Sequence, residues 1–265
     1  MANNRRIDLR SGAQTILSTH EQGVRNVVFC QKYNMLVSSS WDCSLHLHNL
    51  DTPGEFAVVK LPSKAFSMSL SSTKLVVAMS SRSVNIYELD ALAQATQQGG
   101  DVHVEPWQQR ESSMKYMTRA VACMPNDAGY SSSSIEGRVA VEWFDPSEES
   151  QSRKYAFKCH RQTVDGEDII YPVHALAFHP VHGTFATGGG DGFVALWDAV
   201  AKRRIRQYQK FPADIATIAF SADGRYMAVG VSPSFHDDVQ DVPDGAIKVF
   251  IRELSDTEAQ GKKKS

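Results

Sequence analysis

A bend that returns along the chain sets what it can fold into. In "GGGDGFVALWD" (188–198), Asp191-Gly192 lies between two short runs rich in β-branched and aromatic residues, 184–187 and 193–197. Asp-Gly between such runs is a hairpin signal, because glycine accepts the positive φ that a tight turn demands. Asp42, Ser81, Glu136 and Asp244 occupy the same place in four other stretches, and glycine follows at Gly137 and Gly245 as it does at Gly192. An apolar strand is expected three residues after each anchor, at Leu45, Val84, Val139, Val194 and Ile247. A sixth echo, "NRRIDLRSG", puts Ile7 at the strand position near the start.

These glycines do not form a phosphate cradle. A P-loop requires Lys-Ser/Thr after its last glycine and a helix beyond, and a dinucleotide fingerprint requires a third glycine where Phe193 stands. Hairpins that recur every 40 residues or so and end in Trp-Asp or a near variant are the mark of propeller blades. The pattern predicts an all-β chain, a WD-repeat β-propeller over 1–254 with about five complete blades plus a leading strand, then a charged, disordered tail over 255–265. In the first full blade, strands are expected over 24–29, 34–39 and 44–50. His20 opens that blade and His160 a later one; the longer reach from His160 to Asp191 matches a polar insertion at 162–170. Two buried networks are expected to pin the bends, His20 with Asp42 and Ser38, and His160 with Asp191, Thr187 and Trp197, since buried polar groups must satisfy one another.

Composition narrows the function. The chain has 265 residues, 42% hydrophobic and 22% charged, with a net charge of −2, so no overall field draws it to nucleic acid or membrane. No apolar run approaches a membrane span or a signal peptide. Cys30, Cys43, Cys123 and Cys159 form no Cys-x-x-Cys pair and read as reduced thiols of a cytosolic or nuclear protein. Cys159-His160 does not suit nucleophilic catalysis, because neighbouring strand residues face opposite ways. His46 and His48 share a strand face but lack a third metal ligand, and His174, His179 and His182 scatter around a turn. No enzyme, cofactor or metal is expected. The basic stretch 201–210 suits single-stranded nucleic acid, but it is small, and nucleic acid is not an expected partner. The acidic, Pro-containing 235–245 reads as a mobile insertion.

Binding is better provided for. Trp41 precedes the Asp42 bend and either anchors a partner or covers the edge of a neighbouring blade. Arg138 follows the Glu136-Gly137 bend, and Lys158 and Arg161 flank His160. These cations read either as solvated charge or as a site for an acidic or phosphorylated peptide, which guanidinium groups bind in fork geometry.

Five stretches carry a family resemblance: "RESSMKYMTRA" (110–120), "SSIEGRVAVEWFDP" (133–146), "KYAFKCHR" (154–161), "YPVHALAFHP" (171–180) and "TFATGGGDGFVALWD" (184–198). Together they resemble the WD-repeat mitotic checkpoint protein of the Bub-three type over nearly the whole chain, with the messenger-RNA export propeller of the Rae-one type as sister. The resemblance implies a non-enzymatic adaptor of the spindle assembly checkpoint, nuclear, at kinetochores in mitosis, and in part cytoplasmic. It implies two partners: an acidic linear motif of Bub-type checkpoint kinases, and phosphothreonine in Met-Glu-Leu-Thr repeats of a kinetochore scaffold. Carried onto matching positions, it assigns them to Trp41, Arg138, Lys158 and Arg161. No small-molecule substrate and no membrane are implied. The alternative is a nucleoporin-binding export factor. The family ring has seven blades and is closed in part by its N-terminal strand, so this sequence is expected to lack about 70 N-terminal residues at about 40 per blade.

Overall fold

The computed structural model describes residues 1–52, 54–233 and 244–261. Residues 235–243 of the acidic segment and 262–265 of the tail lie outside them. Every expected bend is present. The residue after each anchor, Cys43, Arg82, Gly137, Gly192 and Gly245, takes a left-handed φ between 62° and 76°. Three of the five are glycine, for which this conformation carries no steric cost; Cys43 and Arg82 adopt it against their side chains. Strands leave the bends at Ser44, Ser83, Arg138, Val194 and Lys248, each within a residue of its expected start.

The chain divides into two compact units, Met1–Ser112 and Ser113–Ser265. In the first unit, the hairpin ribbon Ala2–Ile7 and Gln14–His20 stands beside two larger antiparallel sheets. One runs Val24–Cys30, Met35–Ser40, Ser44–Asn49, Phe56–Lys60, with Gly100–Val102 added in parallel at its edge. The other runs Ala65–Leu70, Lys74–Met79, Ser83–Glu88, Gln108–Glu111. Leu45, Leu47, Leu75, Val77 and Tyr87 form its core and are buried completely or nearly so. The helix Leu89–Ala95, unforeseen in the sequence, buries Leu89, Leu92 and Ala95 on one face at helical spacing.

In the second unit, the sheet Thr118–Cys123, Gly129–Ser134, Arg138–Trp143, Tyr155–Lys158 is followed by a hairpin, Arg161–Val164 with Glu167–Ile170. That hairpin is the polar insertion. A four-stranded sheet, Val173–Phe178, Phe185–Gly189, Val194–Asp198, Arg203–Gln207, precedes a three-stranded one, Asp214–Phe220, Tyr226–Ser232, Lys248–Glu253. The last strand is exposed along its whole length, Val249 and Ile251 included. Sheets of five, four and three strands occur among the described residues, so the sheets alone do not fix a blade count.

The C-terminal segment departs from expectation. Residues 255–261 were expected in a disordered tail, but Ala259 is buried and its carbonyl accepts a hydrogen bond from Thr184 Oγ1 at 2.7 Å. Glu258 pairs with Arg206 at 3.2 Å and Arg252 at 3.0 Å. A single buried apolar side chain and one shared carboxylate hold what composition alone marks as a polar tail. None of the four cysteines, all among the described residues, is in a disulfide; Cys30, Cys123 and Cys159 are buried and Cys43 is partly exposed. Burial pushes the Cys159 thiol up to about 12, which removes any thiolate nucleophile there.

Candidate peptide-binding site

The bends position the site, and histidine networks hold the bends. In the second unit, His160 Nδ1 lies 2.8 Å from Asp191 Oδ1, and His160 Nε2 lies 2.8 Å from Thr187 Oγ1. Trp197 Nε1 donates to the same Thr187 oxygen at 2.9 Å. Asp191 also accepts from the Phe193 amide, which closes the turn. In the first unit, His20 Nδ1 lies 2.9 Å from Asp42 Oδ2 and His20 Nε2 lies 3.0 Å from Ser38 Oγ.

The Glu136-Gly137 bend is tied to the segment that leads into His160. Cys159 donates its amide to the Gly137 carbonyl at 2.9 Å, and Arg161 Nη2 donates to the Glu136 carbonyl at 2.8 Å. Arg138 stands directly opposite Lys158 on adjacent strands. The fold therefore brings Arg138 and Lys158 to one end of one sheet and sets Arg161 beside them, at the start of the following hairpin. Two like charges face one another across a strand pair, which is unfavourable unless a counter-charge is near. Glu136 Oε2, 3.5 Å from Arg138 Nε, is such a charge for Arg138. Among the described residues no ion pair serves Lys158 or Arg161, and the buried Arg161 Nε has no hydrogen-bond partner.

Lys158 and Arg161 line a pocket of about 430 Å³ together with Gln162, Phe193, Trp197, Arg204 and Gln207. Sequence reasoning missed Arg204. It sits in the basic 201–210 stretch, but only the strand Arg203–Gln207, paired beside Val194–Asp198, carries it to this pocket. Also missed was an apolar group around the same bend. Tyr116, Met117, Ile135 and Ile170 are exposed; Ile135 donates its amide to the Met117 carbonyl, and the Ile170 side chain lies against Gly137. Its faint signal was "KYM" beside a bend. Trp41 belongs to the first unit, where it is 44% exposed next to its bend. Among the described residues, no group of three or more His, Cys, Asp or Glu side chains is placed to hold a metal ion.

The repeats match the WD domain, G-beta repeat, at residues 12–49 and 154–198. The structure is similar to the β-propeller domain of Myceliophteria thermophila Cps50 (Swd1), with a TM-score of 0.61 and 15% identity over 88% of this chain and 72% of that one. Sheets, bends and repeats thus define a WD-repeat β-propeller protein. Among relatives, the mitotic checkpoint protein BUB3.1 of Arabidopsis thaliana is 43% identical over 267 residues, 98% of this chain and 74% of its own length. Mitotic checkpoint protein bub-3 of Caenorhabditis elegans is 38% identical over 96% of this chain and 72% of its own length. The poly(A)+ RNA export protein of Schizosaccharomyces pombe is 28% identical over 85% of this chain. The chain belongs to the BUB3 family of mitotic checkpoint proteins, which are non-enzymatic.

Proposed function

We propose that this chain is a spindle assembly checkpoint adaptor that holds acidic and phosphorylated linear segments of its partners at the Lys158–Arg161 pocket. The observation that carries this reading is a set of three cations, Lys158, Arg161 and Arg204, lining one cavity with no carboxylate paired to any of them among the described residues. Such a site is open to an anion from outside: Lys158 and Arg204 are exposed, and no neighbouring carboxylate neutralises the charge that an incoming phosphate or carboxylate would meet. The apolar side chains at Tyr116, Met117, Ile135 and Ile170 would take the non-acidic residues of the same segment.

Kinship with checkpoint proteins supports checkpoint partners, and the ones proposed are a Bub-type checkpoint kinase through its acidic motif and the phosphothreonine repeats of a kinetochore scaffold. The place of action is the mitotic kinetochore, with a nuclear and partly cytoplasmic pool at other times. Trp41 and Arg138 are proposed as further contacts for these partner segments.

Titration with a peptide containing phosphothreonine in a Met-Glu-Leu-Thr context tests the proposal. Arg161→Ala and Lys158→Ala are each expected to weaken binding tenfold or more, as loss of a charge-assisted hydrogen bond of about 1.5–3 kcal/mol implies, while the unphosphorylated peptide binds weakly to all variants. Equal affinity for the two peptides, or binding of a nucleoporin segment alone, would overturn it.

A further inference from the structure

The ribbon Ala2–Ile7 with Gln14–His20 is attached by unusual means. Its only buried residues are Asn4, Ser18 and His20, at 6%, 5% and 1% exposure, and all three are polar. Ile7 is 52% exposed and Ile16 55%, and Leu17 is only partly buried. No apolar side chain of the ribbon is fully buried, so its docking rests largely on hydrogen bonds.

Those bonds form one network. Asn4 Nδ2 donates to Ser18 Oγ at 2.9 Å and to Ser38 Oγ at 2.7 Å. Ser18 Oγ lies 2.9 Å from His46 Nδ1 and 3.0 Å from His48 Nε2. The His20 and His46 rings stack with centroids 3.6 Å apart. A hydroxyl has one proton and two acceptor lone pairs. Asn4 occupies one lone pair of Ser18, so one imidazole must donate to the other lone pair while its neighbour accepts the Ser18 proton. A proton added to the accepting imidazole would aim a third donor at Ser18 and leave the serine proton without an acceptor.

Charge works the same way. The ionisable groups facing His46 and His48 are His20, Asp42 and Lys60. Asp42 alone is negative, and it is already engaged by His20 and by Ser44 Oγ at 2.6 Å. A cation at His46 would lie against the stacked His20 ring.

We propose that the ribbon is a proton-released latch: uptake of a proton at whichever of His46 and His48 accepts from Ser18 breaks the Ser18 junction and frees Ala2–His20 from the sheet beneath it. Burial, with His20 adding to it, holds both imidazoles down at about 4 in the closed state, against an ordinary value of 6.5. Once freed they regain the ordinary value, so the closed state loses ground as pH falls from about 6.5 toward 4.

Hydrogen exchange of the Ala2–His20 amides, corrected for intrinsic rate and referenced to Gly129–Trp143, reads the opening directly. Between pH 7.5 and pH 5.5 the ribbon should open at least tenfold more often, with two fully released imidazoles setting a ceiling of about 100-fold. The His46→Asn, His48→Gln double variant should flatten that dependence. Unchanged ribbon protection at pH 5.5, or the same acid response in a folded double variant, would overturn the latch. If the double variant does not fold, imidazole NMR of the unaltered chain decides: His46 and His48 titrating in step with ribbon opening supports it, and titration near 6.5 with the ribbon closed refutes it.

Discussion

His20 and His160 begin equivalent hairpins in the two units, yet different neighbours hold them. Around His160 the bend is closed by close approach. A Cβ on Gly189 would stand 2.4 Å from His160 Nδ1 and 2.7 Å from Asp191 Oδ1, so the imidazole occupies the space a side chain would need. In the first unit the matching position is Ser40, whose hydroxyl donates to the Gln22 carbonyl at 3.2 Å and accepts from the Asp42 amide. Trp197, which donates to Thr187, is matched by His48, which turns instead to Ser18. Ala195 is matched by His46, whose ring stacks on His20. The second bend is pinned by shape and an indole; the first is pinned by a shared hydroxyl that joins it to the ribbon. The lesson is that one hairpin geometry tolerates two chemistries, one whose added partner is an indole that takes up no proton and one whose added partners are two further imidazoles.

Substitution at the paired positions gives the sharpest contrast. Gly189→Ala is expected to destabilise the second unit by about 3 kcal/mol, because the inserted methyl forces the histidine or the carboxylate out of a packed site. Ser40→Ala should cost the first unit about 1 kcal/mol or less, the net worth of its hydrogen bonds. Urea denaturation followed by fluorescence and circular dichroism measures both, and similar losses would erase the distinction.

Acid should separate the units next. The first carries two imidazoles whose folded value is depressed to about 4. A base with a depressed value contributes stability that is complete above its unfolded value and is lost as pH falls, here from about 6.5 down to about 4. Thermal melts between pH 7.5 and pH 5 should therefore show first-unit signals, such as exchange of Leu45 and Leu47 amides, falling before those of Val139 and Val141. Simultaneous loss would contradict the comparison.

A similarly small effect is expected at the indole. Trp197→Phe removes one donor to Thr187 and keeps most of the ring, for a cost of about 1 kcal/mol. His48→Phe, at the matching position, should instead loosen the ribbon, which amide exchange of residues 14–20 would report.

Much of the hairpin pattern was legible because it is local. A carboxylate or hydroxyl, a left-handed residue and an apolar run are consecutive in sequence, and they fix register within one strand pair. The bends at Asp42, Ser81, Glu136, Asp191 and Asp244 could be read this way even where Cys43 and Arg82 replace glycine. The pairing of His160 with Asp191 needed only the added assumption that an insertion leaves the blade unchanged. What stayed hidden depends on segments brought together by folding. Asn4 and Ser18 carry no signal of burial, since both are polar and stand in a ribbon that is mostly exposed. Arg204 looked like one of several surface cations until its strand set it beside Lys158 and Arg161. The fate of Ala259 turns on a contact with Thr184, far away in sequence.

The placement of the thiols has a practical consequence. A brief pulse of alkylating reagent should tag Cys43 alone while every sheet is shut. Each additional tag then reports which part has come open: Cys30 speaks for the sheet beneath the ribbon, Cys159 for the lining of the cationic pocket, and Cys123 for the sheet that carries Arg138. The molecule thus records the sequence of its own unravelling, site by site, with no foreign label attached.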